Sequence, residues 1–235
     1  MTVAAPTSPA AKKKKKRRIP AWIEFIVLLA VAISIAVVIK AFFVQMFFVP
    51  STSMRPLFIT DDRILVQKVS YWTGDVSRGD VIVFEDPGGQ WLNLTDPSLN
   101  VIQKALSTVG LYPTGGHLVK RVIGVGGDHV VCCDKKGRIT VNGVPLNETT
   151  YILEGTKPSD MDFDITVPEG RLWVMGDNRT NSEDSRYHQS LEGGGTVPVD
   201  GVVGKVWAIV WPGDRITLVN RPEIFKNPQI DINQP

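Results

Sequence analysis

Between residues 25 and 39 the chain carries no charge, an apolar run of 15 residues closed by Glu24 and Lys40. That is short for a bilayer span, which takes about 20 residues. A lysine stem can lie along apolar surface with its ammonium at the interface. Residues 22–44 therefore read as one 23-residue helix, about 34 Å long at ~1.5 Å per residue. Trp22 stands where an interfacial aromatic anchors a span. The run outlasts the ~7–15-residue core of a cleaved signal, and no small-x-small site follows it, only AFFVQMFFVP. Residues 22–46 are assigned to an uncleaved transmembrane signal anchor.

Past residue 60 the pattern changes. The blocks RILVQKV, DVIVFE, LVKRVIGV, HVVCC, RITVNG, RLWVMG and GKVWAIVW are short and rich in Val, Ile and aromatics, with Gly, Asp and Pro between them. Lys136-Gly137 and Asn142-Gly143 suit hairpin turns. Helical spacing occurs at 97–109, where Leu99, Ile102, Leu106 and Val109 share a face. It lies in a Gly/Pro-bounded segment, 86–116, that reads as an insertion between two strands. The fold class is mainly β, with coiled sheets, after a single N-terminal transmembrane helix. The expected organisation is a disordered basic tail (1–21), the anchor (22–46), an extracytoplasmic β-rich domain (47–222) and a C-terminal tail (223–235).

Charge orients this layout. Of 26 basic residues, seven lie in 1–21, which has no acidic residue; the other 214 carry 19 basic against 24 acidic. A mildly acidic globular part removes most support for nucleic-acid binding. Basic residues before an apolar span hold that end in the cytoplasm, which puts everything after Val49 outside the plasma membrane, with the lipid bilayer as a partner. Hydrophobic residues at 43% exclude bulk disorder, and a single long apolar stretch excludes a multi-span transporter. Cys132 and Cys133 are adjacent; a vicinal disulfide and two small strand residues both remain open. With three scattered histidines they offer no zinc set, and no metal or cofactor is expected.

The chemistry narrows by elimination. There is no G-x-S-x-G, S-x-x-K or H-E-x-x-H, and His117, His129 and His188 lie in no triad context. Three segments remain. VPSTSMRP at 49–56 sets Ser51, Thr52 and Ser53 between two prolines that fix φ; a capped linker leaving the membrane reads equally well. In HLVKRVIGVGGD (117–128), Lys120 shares a strand face with Leu118 and Val122, and Arg121 with Val119 and Ile123. One of the two cations points inward. A buried lysine gives up its proton readily and can serve a serine as general base; a solvated edge lysine is the plain alternative. In MGDNRTNSEDSR (175–186), Asp184 and Arg186 can pair and Ser182 can orient an amine.

In this order behind one anchor, the three segments resemble the bacterial type I signal peptidases, membrane serine proteases with a Ser/Lys dyad. PSTSMRP at 50–56 carries that family's P-S-x-S-M-x-P motif. Residues 78–84 match its R-G-D strand, 120–128 its K-R strand with the following G-D, 176–186 its G-D-N-R loop, and 204–212 its last strand. The resemblance implies a coiled antiparallel β-sheet catalytic domain that cuts signal peptides from exported preproteins after small-x-small, Ala-x-Ala-like sites. It implies Ser53 as nucleophile, Lys120 as general base, and an oxyanion hole from the Ser53 N–H and the Ser51 hydroxyl. Ser182 holds the Lys120 amine, with Asp184 and Arg186 supporting the loop. Phe47, Val49, Met54, Phe58, Ile64, Val83, Leu118 and Val119 fall where the family lines its substrate pockets. Phe42, Phe43, Phe47, Phe48 and Phe58 can let the outer domain dip into the lipid interface.

The chain departs from the pattern at Thr180, where the family has Asp, at Gly126, where Pro is common, and at Leu57-Phe58, in place of Thr-Leu. Segment 86–116 exceeds the family minimum. Two other classes compete. Self-cleaving Ser/Lys repressors carry a DNA-binding module where this chain has a basic tail and an anchor. A non-enzymatic anchored binding protein needs neither Ser53 nor Lys120, and both are intact.

Overall fold

The computed structural model describes residues 20–68, 75–92, 100 and 116–232, without the side chains of 38–42. The expected basic tail lies outside the described residues apart from Pro20 and Ala21. The helix expected at 97–109 lies outside them apart from Asn100, as do the side chains of Lys40 and Phe42.

The chain divides into two compact units, residues 1–38 and 39–235. The first is built on helix α1 (Ala21–Phe42). Its large side chains face outward, with Trp22, Phe25 and Leu28 at 65%, 66% and 62% exposure. Among the described residues no helix is long and apolar enough to cross a membrane. The helix ends before the boundary expected at 46, because Val44, Gln45 and Met46 lie in strand β1 (Val44–Phe48). There they pair with β2 (Arg63–Gln67), Val44 opposite Gln67 through Phe48 opposite Arg63. Apolar runs of this length suit either state by period alone, and the ladder decides.

The second unit is mainly β, and among the described residues every strand pairing is antiparallel. Its larger sheet also holds β3 (Val81–Glu85), β4 (His117–Val125), β9 (Arg171–Met175), β10 (Val197–Pro198), β11 (Val202–Trp211) and β12 (Thr217–Leu218), in the order β1-β2-β11-β3-β4-β9-β10 with β12 on β11. The smaller sheet runs β7-β6-β5-β8, from β5 (His129–Cys132), β6 (Thr140–Val141), β7 (Val144–Pro145) and β8 (Phe163–Thr166). Asn142 and Gly143 both take positive φ, 52° and 76°, between β6 and β7, the backbone a tight hairpin of matching twist requires. Cys132 and Cys133 are joined as a disulfide at the end of β5.

β4 carries the chain from one sheet to the other. Its register breaks between Val122 and Gly124, and a Cβ on Gly124 would lie 2.6 Å from a Val130 methyl on β5. Asp128 then locks the corner, accepting from Arg78 Nε at 2.6 Å, Val125 N at 2.7 Å and Asn142 Nδ2 at 2.8 Å. Strand alternation serves several cores at once. On β9, Leu172 and Val174 join Ile82, Phe84, Trp91 and Val122, while Trp173 and Met175 join Ile123, Val130, Leu146 and Phe163.

Residues 223–232 are not a free tail. Phe225 and Ile230 are buried in the smaller sheet's core, Asn142 Nδ2 donates to the Ile230 carbonyl at 2.8 Å, and Asp231 in helix α2 (Gln229–Ile232) pairs with Arg78. Apolar residues spaced five apart fit neither period, so the pattern reads as tail until the pocket is seen. Phe225→Ala is expected to destabilise the protein by about 3 kcal/mol, read from urea unfolding; a loss under about 0.5 kcal/mol, as at an exposed site, would show the segment to be loosely held.

Candidate active site

β1 delivers the chain to the turn 49–58. Val49 closes its entrance, donating to the Asp62 carbonyl at 2.9 Å and accepting from Asp61 N at 3.0 Å. Inside the turn Arg55 N donates to the Thr52 carbonyl and Phe58 N to the Met54 carbonyl. Arg215, remote in sequence, staples the turn from below. It donates to Asp62 at 2.9 and 3.0 Å and to the Leu57 carbonyl at 3.1 Å. Ser53 is thereby held with little exposure, while Ser51 faces solvent.

β4 supplies the partner. Lys120 is the inward cation, opposite Ile82 of β3, and its Nζ donates to Ser53 Oγ at 3.0 Å. Ser51 Oγ lies 3.2 Å from Ser53 Oγ. Burial pushes the Lys120 amine down to about 8, against the opposing charges of Asp184 and Glu183. A buried amine this easily neutralised, in contact with a hydroxyl, can take that hydroxyl's proton. Arg121 is buried as well, against the expectation that only one of the two points inward. Its charge is matched by Asp177 at 2.8 and 2.6 Å, so β4 buries both faces.

The loop after β9 closes the site. Asp184 accepts from Gly176 N at 3.0 Å and from Arg186 at 2.8 and 2.9 Å. Burial alone would raise the Asp184 carboxyl; Arg186, Gly176 N–H and Lys120 outweigh it and hold the group below the usual carboxylate range. The loop also grips the serine turn. Asn178 N donates to the Ser53 carbonyl at 3.0 Å, Asn178 Nδ2 to the Thr52 carbonyl at 3.1 Å and Asn181 Nδ2 to Thr52 Oγ1 at 2.8 Å. Gly176 allows this approach, since a side chain there would collide with Ser182 and the Ser53 carbonyl. Thr180 Oγ1 donates to Asn178 Oδ1 at 3.2 Å, so the residue standing for the family's Asp orients the amide that holds Thr52.

Two expectations need correcting. Ser182 is buried over Gly176, but its Oγ has no hydrogen-bond partner among the described residues, so it does not hold the Lys120 amine. Phe58 is fully buried and has no surface to offer lipid. It packs with Val49, Met54, Ile64 and Val83 in one closed apolar cluster, against which Phe47 and Val119 lie half-buried. Leu118 packs on the neighbouring cluster. Seven of the eight residues expected to line pockets thus share one apolar cluster, with Phe47 and Val119 as its partly open part, and Leu118 packs apart from them. Arg215, Asn178, Asn181 and the Arg121–Asp177 pair were not named for the site from sequence alone; three of them sit in quoted motifs, and Arg215 has no local signal. Trp91, buried at the start of the 86–116 segment, stacks on His188 at 4.3 Å between centroids.

Residues 22–211 match the family model described as signal peptidase, peptidase S26. A probable signal peptidase I of Mycobacterium leprae is 40% identical, covering 85% of this chain and 79% of the relative. A signal peptidase I of Mycobacterium tuberculosis is 41% identical, covering 82% and 73%. A crystal structure of a signal peptidase I from Enterococcus faecalis V583 is 26% identical, covers 56% of this chain and 96% of that one, and superposes only loosely, at a TM-score of 0.35. With the matched span holding β1, the serine turn, the lysine strand and the closing loop in order, this chain belongs to the signal peptidase family, peptidase S26, and is a peptidase.

Proposed function

We propose that this chain is a membrane-anchored serine endopeptidase that removes N-terminal signal peptides from exported preproteins after small-x-small sites, using Ser53 and Lys120 as a dyad. The observation that carries it is the 3.0 Å contact of the buried Lys120 amine with Ser53 Oγ. In the reaction neutral Lys120 takes the Ser53 proton as Oγ attacks the carbonyl carbon. The Ser53 N–H and Ser51 hydroxyl receive the developing oxyanion. Lys120 then protonates the leaving amine, which frees the mature chain. A water deprotonated by Lys120 hydrolyses the acyl-enzyme and restores Ser53.

The lysine strand supports a place for the substrate. Residues 117–120 of β4 pair with β3 along one edge, and β9 pairs with β4 only from Arg121 onward. Among the described residues the second edge of 118–120 has no ladder partner, and an extended peptide can add there. It would run beside Phe47, Leu118 and Val119 toward Ser53. The closed cluster behind them leaves room for small side chains and excludes bulky ones. Changing the residue before the cut from Ala to Leu is therefore expected to slow cleavage by at least about 100-fold, measured on a purified preprotein with the new N-terminus read by mass spectrometry. Equal rates would end the small-x-small reading.

Two features support the bilayer as partner. Residues 25–39, within α1, carry no charge and stand behind a basic segment that favours a cytoplasmic N-terminus. On the second unit Phe43, Met46, Phe48, Trp207, Trp211, Ile216 and Leu218 are exposed, more large apolar surface than scattered chance provides. The catalytic domain then lies on the outer side of the plasma membrane, where a translocated signal peptide ends.

A further inference from the structure

Glu148 lies outside every motif quoted above, in the connection after β7 of the smaller sheet. It is buried. Its carboxylate accepts from Arg179 Nη1 at 2.8 Å and Nη2 at 2.6 Å, and from the Tyr151 hydroxyl. The buried carboxylates of the closing loop are committed elsewhere, Asp177 to Arg121 and Asp184 to Arg186; Glu183 is exposed beside His188, and position 180, acidic in the family pattern, is Thr. Burial works against the charge of Arg179, yet Glu148 raises its pKa and keeps it a cation. Two guanidinium groups lie over the Tyr151 ring, Arg121 at 4.7 Å and Arg179 at 5.8 Å from its centroid. One buried cluster therefore joins the smaller sheet, the lysine strand and the loop.

Arg179 turns that cluster toward the site. Its Nε donates to the Gly176 carbonyl at 2.9 Å, and two residues on Asn178 N donates to the Ser53 carbonyl at 3.0 Å. Its own carbonyl accepts from Arg186 at 2.9 Å. We propose that Glu148 is a positioning residue for the peptidase reaction: by pairing with Arg179 it fixes the Gly176 carbonyl, and through it the backbone that holds the serine turn against Lys120. This rests on the proposed Ser53/Lys120 chemistry and adds a residue that acts through the loop without touching substrate.

The test compares wild type, Glu148→Gln, Tyr151→Phe and Glu148→Gln/Arg179→Gln as full chains in detergent, reading kcat, KM and Tm on one preprotein. Glu148→Gln leaves Arg179 buried without a counter-charge, so Tm falls and kcat is expected to drop about 100-fold with KM within about two-fold, the mark of an interaction that matters in the transition state. Tyr151→Phe keeps the ring and the Glu148–Arg179 pair, and kcat stays within about three-fold of wild type. The double variant removes both charges. Its Tm recovers, while kcat stays at least about 10-fold down because the Gly176 carbonyl has lost its guanidinium. If kcat recovers together with Tm, Glu148 is a structural strut only and the inference falls. It falls as well if Glu148→Gln cuts at the wild-type kcat while wild type cuts normally. A wild type that does not cut the preprotein overturns the proposed function and this inference with it.

Discussion

Ser53→Ala should leave a folded, inert protein, with cleavage lower by about 10⁴-fold or more, the usual cost of removing a covalent nucleophile. The substitution deletes one oxygen at a little-exposed position, and the turn around it is held by Val49, Asp62, Arg215 and Asn178 through other atoms. Its far-ultraviolet circular dichroism and Tm should match wild type. Lys120→Met should be inert to a similar degree, since it keeps the apolar stem on β4 and removes only the amine that contacts Ser53 Oγ. Methionine is preferred to alanine because a truncation at this buried site would add a cavity penalty of a few kcal/mol. The measurement is preprotein cleavage in detergent followed over hours. More than about 1% of wild-type activity in either variant would contradict the dyad, because one member alone retains almost none of a coupled pair's effect.

Activity should rise with pH through about 8, the value to which burial lowers the Lys120 amine. The sign follows from the mechanism. The amine must be neutral to accept the Ser53 proton, so the active fraction falls about tenfold for each pH unit below the pKa and levels off above it. Stability moves in the same direction. An amine depressed by burial carries its full penalty while both folded and unfolded states hold the proton. The penalty is relieved as pH rises from about 8 toward the ordinary value of 10.5. Glu183 offers a control. Its carboxylate is exposed and its charge raises the Lys120 pKa, so Glu183→Gln should move the acid limb slightly toward lower pH without changing the plateau. A pH profile of kcat/KM flat between 6 and 9, or an acid limb that Glu183→Gln moves upward, would show that another group sets the protonation step.

Most of the second unit's character was legible in the chain. The blocks at 63–69, 80–85, 129–133 and 171–176 contain β2, β3, β5 and β9, and 118–125 covers β4 but for His117, because Val- and Ile-rich alternation between turn formers has few other stable outcomes. The short strands β7, β8, β10 and β12, of two to four residues, escaped notice. Segments that short carry no period, and only a neighbouring edge makes them strands. The first three residues of β1, 44–46, were absorbed into the anchor, because the mostly apolar stretch 44–48 continues the run before it and a partner 15 or more residues away decides its state. The C-terminal residues read as a tail for the same reason: Phe225 and Ile230 mean little until the pocket beneath them exists.

The site divides along the same line. Sequence alone determined that a serine between two prolines, a lysine in an apolar strand and an acid–arginine loop occur in one order, since each is a local pattern of residue types. Tertiary structure decided that Lys120 turns inward onto Ser53, that Arg121 is buried beside it, and that Arg215 and Glu148 reach the site from 158 and 31 positions away along the chain, as counted to Leu57 and Arg179. It also left Ser182 without the amine assigned to it. Burial, charge neutralisation and hydrogen-bond partners belong to the packed chain: they depend on which distant segments displace water from a group, and no window of sequence holds that information.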